Sequence, residues 1–257
     1  MEPVRLTREG GAEPVIYYAN SNIHPAEEYA RRLATLEAWA QSESLEVVEG
    51  AYDAAAWEET VGRIGDAARE KFGVITHEAQ PAESVEGAEG SAEGAAPAEQ
   101  ARQARCRACY RMRFEETARY AAEHGFAAMG TTLSVSPYQY TDIIREELER
   151  AAAKEGVEAR FVDYRPYYDN ATQRSREAGM YRQNYCACRF SEEEARVERE
   201  ERKRARRQKQ AAEAAAHAAE RAAEEAQLEA KRAERAAYDA KQARKRAILK
   251  QLREQGR

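Results

Sequence analysis

The chain has 257 residues, of which 34% are charged. That length suits one globular domain of moderate size, and a charged fraction above the usual quarter indicates additional chain outside a packed core. No run of 18 apolar residues is present and the first residues lack a basic-then-apolar signal, so we expect a cytoplasmic protein without a membrane span.

Charge is unevenly distributed along the chain, whose formal net charge is −5. From residue 191 onward there are 19 Lys and Arg against 14 Asp and Glu, whereas residues 1–190 carry 22 basic and 32 acidic side chains. An acidic body is not typical of a general nucleic-acid binder. Any RNA contact is therefore expected from local patches or from the C-terminal extension.

The N-terminal part of the chain alternates between strand and helix patterns. The predicted elements are a strand at 15–19, a helix at 25–41, a strand at 45–48 and a helix from 54 to about 65. Asp53 is placed to cap the second helix. This order predicts a parallel α/β sheet.

Residues 77–103 break the alternation. Ala, Glu, Gly, Ser and Pro dominate, and Val85 is the one large apolar residue of the segment. Such a composition buries too little apolar surface to offset the entropy of ordering the chain. The segment is therefore predicted to be a disordered insertion.

Regular patterns return after the insertion. The predicted elements are helices at about 109–124, 142–155 and 170–178, and strands at 126–129 and 157–162. From residue 191 the sequence is almost entirely Ala, Glu, Arg, Lys and Gln, which favour helix, but large apolar residues are too sparse for sustained heptads. We predict a globular domain at 1–190 and a solvated helical extension at 191–257.

The four cysteines form two close pairs, Cys106-x-x-Cys109 and Cys186-x-Cys188. In the cytoplasm such pairs are more often metal ligands or redox thiols than structural disulfides. The spacing of the first pair suits two sulfurs on one metal if one lies in a loop and the other opens a helix; zinc, iron–sulfur and coincidence all stay open. A disulfide across the second pair would close a small strained ring that is easily reduced, which suits a two-electron donor.

Four segments carry a resemblance to a known family. They are residues 17–25 (YYANSNIHP), 105–113 (RCRACYRMR), 131–137 (TTLSVSP) and 181–188 (YRQNYCAC). In this order they resemble the signature segments of the QueH-type epoxyqueuosine reductases.

The resemblance implies an α/β fold of the HUP type, similar to the adenine nucleotide alpha hydrolases. It also implies reduction of epoxyqueuosine to queuosine in the anticodon of tRNA, the last step of queuosine biosynthesis, with electrons from an unidentified donor. The family holds a [4Fe–4S] cluster on an adjacent Cys-Cys pair near its N-terminus and on the Cys-x-x-Cys pair. Carried over, Cys106 and Cys109 are two cluster ligands, and Cys186 and Cys188 form a redox-active disulfide.

The sequence departs from the family at its start. Family members open with an apolar strand, the adjacent cysteines and a helix, whereas residues 1–9 of this chain read as that helix and no cysteine precedes Cys106. We expect the missing strand and cysteines directly upstream of Met1, because of a start codon assigned too far downstream or a truncated gene. Two thiolates cannot complete a four-cysteine cluster, so the chain as given is expected to be inactive or poorly folded unless extended.

Several polar residues in the four segments are candidates for substrate binding. The candidates are Asn20, Asn22, His24, Ser134, Ser136, Tyr181, Arg182 and Gln183. They lie in loops after strands or before the Cys-x-Cys pair, where nucleotides and splayed-out bases are commonly held. Helix capping, turn formation and ordinary surface packing are the competing interpretations.

Basic residues offer two further RNA-binding hypotheses. The arginines around the first cysteine pair, at 105, 107, 111 and 113, could face a cluster or a phosphate backbone, or be solvated surface. The basic extension could add salt-dependent tRNA affinity, or have no role in binding. The competing function for the whole chain is an inactive tRNA- or nucleotide-binding module with a structural metal.

Overall fold

The computed structural model of the chain describes residues 1–76 and 96–255. The chain forms two compact units, Met1–Arg199 and Glu200–Arg257. Among the described residues, none of the helices combines the length and apolar character needed to cross a membrane.

The N-terminal part of the first unit follows the predicted strand–helix alternation. Its elements are α1 (Glu2–Glu9), β1 (Ile16–Tyr18), α2 (Ala26–Ser42) and β2 (Val47–Glu49). The strands pair in parallel with Ile16 opposite Val47, so the apolar runs form the expected parallel sheet. Tyr18, Ile23, Tyr29 and Leu33 pack into a core between this sheet and α2.

Asp53 caps the next helical region as predicted, because its carboxylate accepts a hydrogen bond from the Ala56 backbone N–H at 2.8 Å. The region contains three parts: α3 (Ala54–Trp57), a π-helical turn (Glu58–Gly62) and α4 (Arg63–Phe72). It extends one to two turns past the predicted end at about residue 65. The π-helical turn is notable because such turns often lie at functional sites.

Helix α5 (Pro97–Glu123) begins earlier than the sequence predicts. Residues 77–95 of the predicted disordered insertion lie outside the described residues, but disorder through residue 103 and a helix start near 109 are wrong. The first turns are fixed by tertiary ion pairs, since Arg102 and Arg105 contact Glu194 at 3.4 and 2.6 Å. Composition cannot reveal such partners.

The rest of the first unit forms a second small parallel sheet. Its elements are β3 (Ala128–Gly130), α6 (Thr141–Glu155), β4 (Glu158–Arg160) and α7 (Tyr168–Glu177). Ala128 of β3 lies opposite Glu158 of β4. A core that includes Phe114, Ile144 and Leu148 joins α5 to α6.

The predicted α/β class with parallel strands is confirmed. The described strands form two separate two-stranded sheets, β1–β2 and β3–β4. The last helix, α8 (Ser191–Gln255), matches the predicted helical extension, and the side chains at 199–240 are exposed.

Candidate functional site: two cysteine pairs beside Trp57

The two cysteine pairs converge, although they come from distant parts of the chain. Cys106 and Cys109 lie one turn apart on α5, and Cys186 and Cys188 lie in the loop before α8. Cys109 and Cys188 share one buried cluster, and Cys188 is close enough to interact electrostatically with both α5 thiols. Cys106 and Cys186 are partly accessible. All four thiols are free.

The predicted loop-to-helix placement of the first pair is wrong. Both cysteines lie in the interior of α5, which begins at Pro97, so the positive helix end does not stabilise their thiolates. They share one face of the helix instead, since residues three apart are neighbours on a helix surface.

The loop carrying Cys186 and Cys188 is held by its backbone. Ala187 is fully buried with φ of 80°, a conformation that residues with a Cβ rarely adopt. Its carbonyl accepts a hydrogen bond from the His24 N–H at 2.9 Å, and the Cys188 carbonyl accepts the Ser191 hydroxyl at 2.7 Å. This anchoring orients the two thiols.

Arg32 supplies a further anchor for the same loop. This buried side chain donates to the carbonyls of Tyr185 at 3.4 Å and Cys186 at 3.3 Å. Its guanidinium is balanced by Glu28, whose carboxylate lies at 2.7 Å. Helix α2 therefore helps to position the second cysteine pair.

The second pair is polarised, with one thiolate and one thiol. The hydrogen bond from Cys186 is the largest influence on the pKa of Cys188, and together with the Arg105 charge and the Ser191 hydroxyl it lowers that pKa to about 6 against the effect of burial. The same hydrogen bond, followed by burial, raises the pKa of Cys186 well above its ordinary value. At neutral pH Cys188 is therefore the thiolate, and Cys186 retains its proton.

The first pair is in a different electrostatic state. Burial raises the pKa of Cys106 to about 11, opposed by the nearby guanidiniums of Arg105 and Arg102. Burial also raises the pKa of Cys109, opposed by the charge of Arg113 and by a hydrogen bond from Trp57. Both α5 thiols are therefore protonated at neutral pH in the absence of a metal.

Trp57 forms the wall of the site and was not singled out from the sequence. Its ring is fully buried, and its indole N–H donates to the Cys109 Sγ at 3.4 Å. The ring lies 5.5 Å from that of His24 and 6.4 Å from that of Phe190, centroid to centroid. Trp57 ends α3 directly before the π-helical turn.

Arg105 is the central cation of the site. Its guanidinium donates to both Glu194 carboxylate oxygens, at 2.6 and 2.8 Å, and lies 4.8 Å from the centre of the Phe190 ring. Gly65 makes room for this arrangement, because a Cβ there would lie 2.3 Å from the Phe190 ring.

The other arginines predicted to face a cluster or RNA have intramolecular partners. Arg107 and Arg111 both contact the Glu147 carboxylate, at 3.1 and 2.9 Å. Arg113 donates to the Ala19 carbonyl at 2.7 Å and to the Asn20 side chain at 2.6 Å. Their contacts tie α5 to α6 and to the loop after β1.

Three candidate substrate residues lie in the loop after β1. His24 lies at the cysteine site, with Nε2 3.5 Å from a Glu58 carboxylate oxygen. The Asn20 side chain is occupied by Arg113. Asn22 is buried, and its side-chain oxygen has no hydrogen-bond partner among the described residues. Each remains a prediction as a substrate contact.

The other candidates occupy two separate places. Ser134 is fully buried and donates to the Val162 carbonyl at 2.7 Å, and Ser136 accepts the Tyr138 N–H at 3.3 Å. Tyr181 donates to Glu28 at 2.9 Å. Arg182 and Gln183 are exposed, in the segment leading to the second cysteine pair.

A family model described as "Epoxyqueuosine reductase QueH" matches residues 1–72 and 65–194 of the chain. The chain belongs to this family. The match covers both cysteine pairs and ends shortly after α8 begins.

Curated relatives carry the same description, epoxyqueuosine reductase QueH. The protein from Dehalococcoides mccartyi is 27% identical over 188 residues, which cover 73% of this chain and 83% of that protein. The protein from Haemophilus influenzae is 28% identical over 195 residues, or 74% of this chain and 66% of that protein. The protein from Thermotoga maritima is 35% identical over 88 residues, covering 34% and 46% of the two chains.

The described thiols fit an iron–sulfur cluster of this reductase family only in part. Cys106 and Cys109 offer two soft ligands, and the Trp57 N–H on one sulfur is the kind of hydrogen bond that tunes such centres. Within residues 1–76 and 96–255, however, three or more His, Cys, Asp or Glu side chains are nowhere arranged to hold a metal ion. The described residues thus supply two of the four thiolate ligands that such a cluster needs.

Proposed function

We propose that the chain reduces epoxyqueuosine in tRNA to queuosine, with Cys186 and Cys188 as the reducing pair. The observation that carries the proposal is the convergence of the two cysteine pairs, since Cys188 and Cys109 share one buried cluster with Trp57 while Cys186 is partly accessible. Membership of the epoxyqueuosine reductase family supports the reaction.

The overall reaction balances with one thiol, one thiolate and a proton from solvent. Cys186 and Cys188 lose two electrons and the Cys186 proton as their S–S bond forms, and with a second proton from solvent the substrate loses its epoxide oxygen as water while a carbon–carbon double bond forms. An external electron donor then reduces the disulfide. The small ring closed by Cys-x-Cys would be strained, which favours its reduction in each cycle.

The two cysteines have different positions in this reaction. Cys186 is the partly accessible thiol and keeps its proton, so it is suited to meet the epoxide and supply that proton. Cys188 is buried, and as the thiolate it is suited to close the disulfide. Arg105 supports the thiolate by its charge.

Cys106 and Cys109 are proposed as two ligands of a [4Fe–4S] cluster. When bound, the cluster would supply one-electron transfer close to the second pair. The residues of this chain then prepare the site for it: the Trp57 N–H orients one ligand, and the cations of Arg102 and Arg105 favour deprotonated sulfur.

The substrate is proposed to approach from the exposed side of the second pair. Arg182 and Gln183 precede Cys186 in the chain and are exposed, which suits hydrogen bonding to an unstacked anticodon base. His24 contacts the loop that carries the second pair, because its backbone N–H donates to the Ala187 carbonyl at 2.9 Å. A HUP-type fold is also proposed, which the two parallel strand pairs support.

The test is turnover of purified full-length chain on tRNA bearing epoxyqueuosine, with dithionite and a viologen dye as donor. Nucleosides are analysed by mass spectrometry. We expect queuosine from the wild type, in contrast to the inactivity expected from the missing Cys-Cys pair, because Cys186 and Cys188 supply the two electrons. Cys186→Ser and Cys188→Ser should each lose at least roughly 100-fold, the scale of a single catalytic group. The control is Ser42→Ala, a substitution at an exposed residue at the end of α2, which should leave the rate of queuosine formation unchanged.

Analysis of bound metal and labile sulfide distinguishes the reductase from the alternative function, an inactive tRNA-binding module. Several irons with labile sulfide support the reductase. A wild-type chain that binds tRNA and one zinc but forms no queuosine would instead be the inactive binding module.

A further inference from the structure

The unit Glu200–Arg257 contains a basic segment, which we define as residues 202–209. Six of its eight residues are Arg or Lys and none is acidic. All eight are exposed and helical. Eight helical residues span about 12 Å, so the segment carries roughly one positive charge per 2 Å. Double-stranded DNA, for comparison, carries one negative charge per ~1.7 Å of axis.

The charge of this segment is poorly neutralised within the helix. Among the ion pairs of the described residues, none involves Lys203, Arg204, Arg206 or Arg207. Lys209 contacts Glu213 at the long distance of 3.9 Å. Glu198, Glu200 and Glu201 lie just before the segment, and seven acidic residues follow it between residues 213 and 239, so the uninterrupted positive charge is confined to residues 202–209.

The charge pattern argues against a second copy of the chain as the partner. In a parallel pair of these helices the basic segment would face itself. In an antiparallel pair it would approach the other end of the helix, where residues 241–250 carry five cations and no acid. Either arrangement places like charges together, which is unfavourable.

The composition argues equally against an acidic membrane surface. A helix that lies in a membrane interface needs large apolar side chains opposite its basic face. Between residues 200 and 227 the apolar residues are all alanines. The remaining abundant polyanion is the phosphate backbone of RNA.

We infer that the basic segment binds the phosphate backbone of the tRNA substrate and adds affinity that does not depend on sequence. The inference rests on the proposed function for its choice of RNA. It goes beyond that function because the match to the reductase family ends at residue 194, before the segment begins.

The test compares two full-length variants in which three Arg and one Lys become Gln. The segment variant changes Lys203, Arg204, Arg206 and Arg207. The matched control changes four cations in the acidic part of the same helix: Arg221, Lys231, Arg232 and Arg235. Gln, Lys and Arg have similar helix propensities, so circular dichroism should show equal helix content. Fluorescence anisotropy then measures binding of an unmodified tRNA transcript over a range of salt concentrations.

We expect the segment variant to lower the slope of log affinity against log salt by about 3, or 0.7–0.9 per lost contact. Between about 50 and 200 mM salt, the wild type should therefore lose at least roughly 50-fold more affinity than this variant. The control should keep the wild-type slope. Equal slopes in the two variants, or phosphatidylglycerol vesicles binding through the segment while tRNA does not, would overturn the inference.

Queuosine formation at saturating tRNA separates this inference from the proposed function. A wild-type chain that binds tRNA through the segment but forms no queuosine refutes the function and leaves the inference intact. A chain that forms queuosine while both variants bind tRNA alike refutes only the inference.

Discussion

Replacing Glu147 by Gln should weaken the packing of α5, the helix that carries Cys106 and Cys109. The Glu147 side chain is only 2% exposed, and it contacts Arg107 and Arg111 of α5 and Arg150 of its own helix. Burial acts to raise the pKa of Glu147, but hydrogen bonds from the three arginines outweigh it and lower the pKa to about 2.

The magnitude follows from this pKa. The ordinary value is 4.5, so the folded state favours the ionised carboxylate by a shift that corresponds to roughly 3 kcal/mol. The three guanidiniums are 35–49% exposed, and solvent reduces the value of their contacts. We therefore expect Glu147→Gln to lower the free energy of unfolding by about 2 kcal/mol at pH 7.

The sign of the pH dependence is fixed by the lowered pKa. The stabilisation is fully present above the unfolded pKa of about 4.5 and is lost as the pH falls towards about 2. The difference between wild type and variant should therefore shrink to less than half by about pH 3. Urea unfolding followed by circular dichroism from pH 7 to pH 3 measures both quantities.

The neighbouring Glu146 provides the control. Its side chain is 58% exposed and, among the ion pairs of the described residues, contacts only Arg107, at 2.6 Å. Glu146→Gln should cost at most about 0.5 kcal/mol. If the two variants are equally stable at pH 7, or if the Glu147→Gln difference does not change with pH, the reasoning is refuted.

Two further changes probe the cysteine site. Cys186→Ala removes the hydrogen-bond donor of Cys188, so the pKa of Cys188 should rise above the wild-type value of about 6. The measurement is the rate of Cys188 alkylation against pH, monitored by peptide mass spectrometry. The same pH dependence in the variant and the wild type would contradict the assigned thiolate. Gly65→Ala places a methyl group 2.3 Å from the Phe190 ring and should lower the free energy of unfolding by about 1–3 kcal/mol, with a smaller loss in a Phe190→Leu background. If urea unfolding showed that the two substitutions change the free energy of unfolding additively, the methyl group added at residue 65 and Phe190 would not collide, and the prediction would be wrong.

Local sequence patterns determined most of the secondary structure. The apolar runs at β1 and β2, the Asp53 cap and the helical composition of α8 each act over a few residues, so they are legible without knowledge of the fold. The spacing of the cysteines and the four family segments are likewise local features, so they indicate the site and the reductase family without the fold.

The tertiary structure decided where α5 begins and what its arginines do. The partner of Arg105 is Glu194, 89 residues away, and the partner of Arg111 is Glu147, 36 residues away. A pairing over such a separation leaves no periodic signal in the sequence. The segment from Pro97 was therefore mistaken for disordered chain, although its buried ion pairs order it.

The tertiary structure also decided which residues surround the thiols. Trp57 and Arg32 lie in helices that appeared ordinary in the sequence, yet one bonds the Cys109 sulfur and the other holds the Cys186 carbonyl. A π-helical turn directly after Trp57 has no clear local signature, and it is a feature often found at functional sites. Sequence thus specified the reactive groups, whereas long-range packing specified their protonation and orientation.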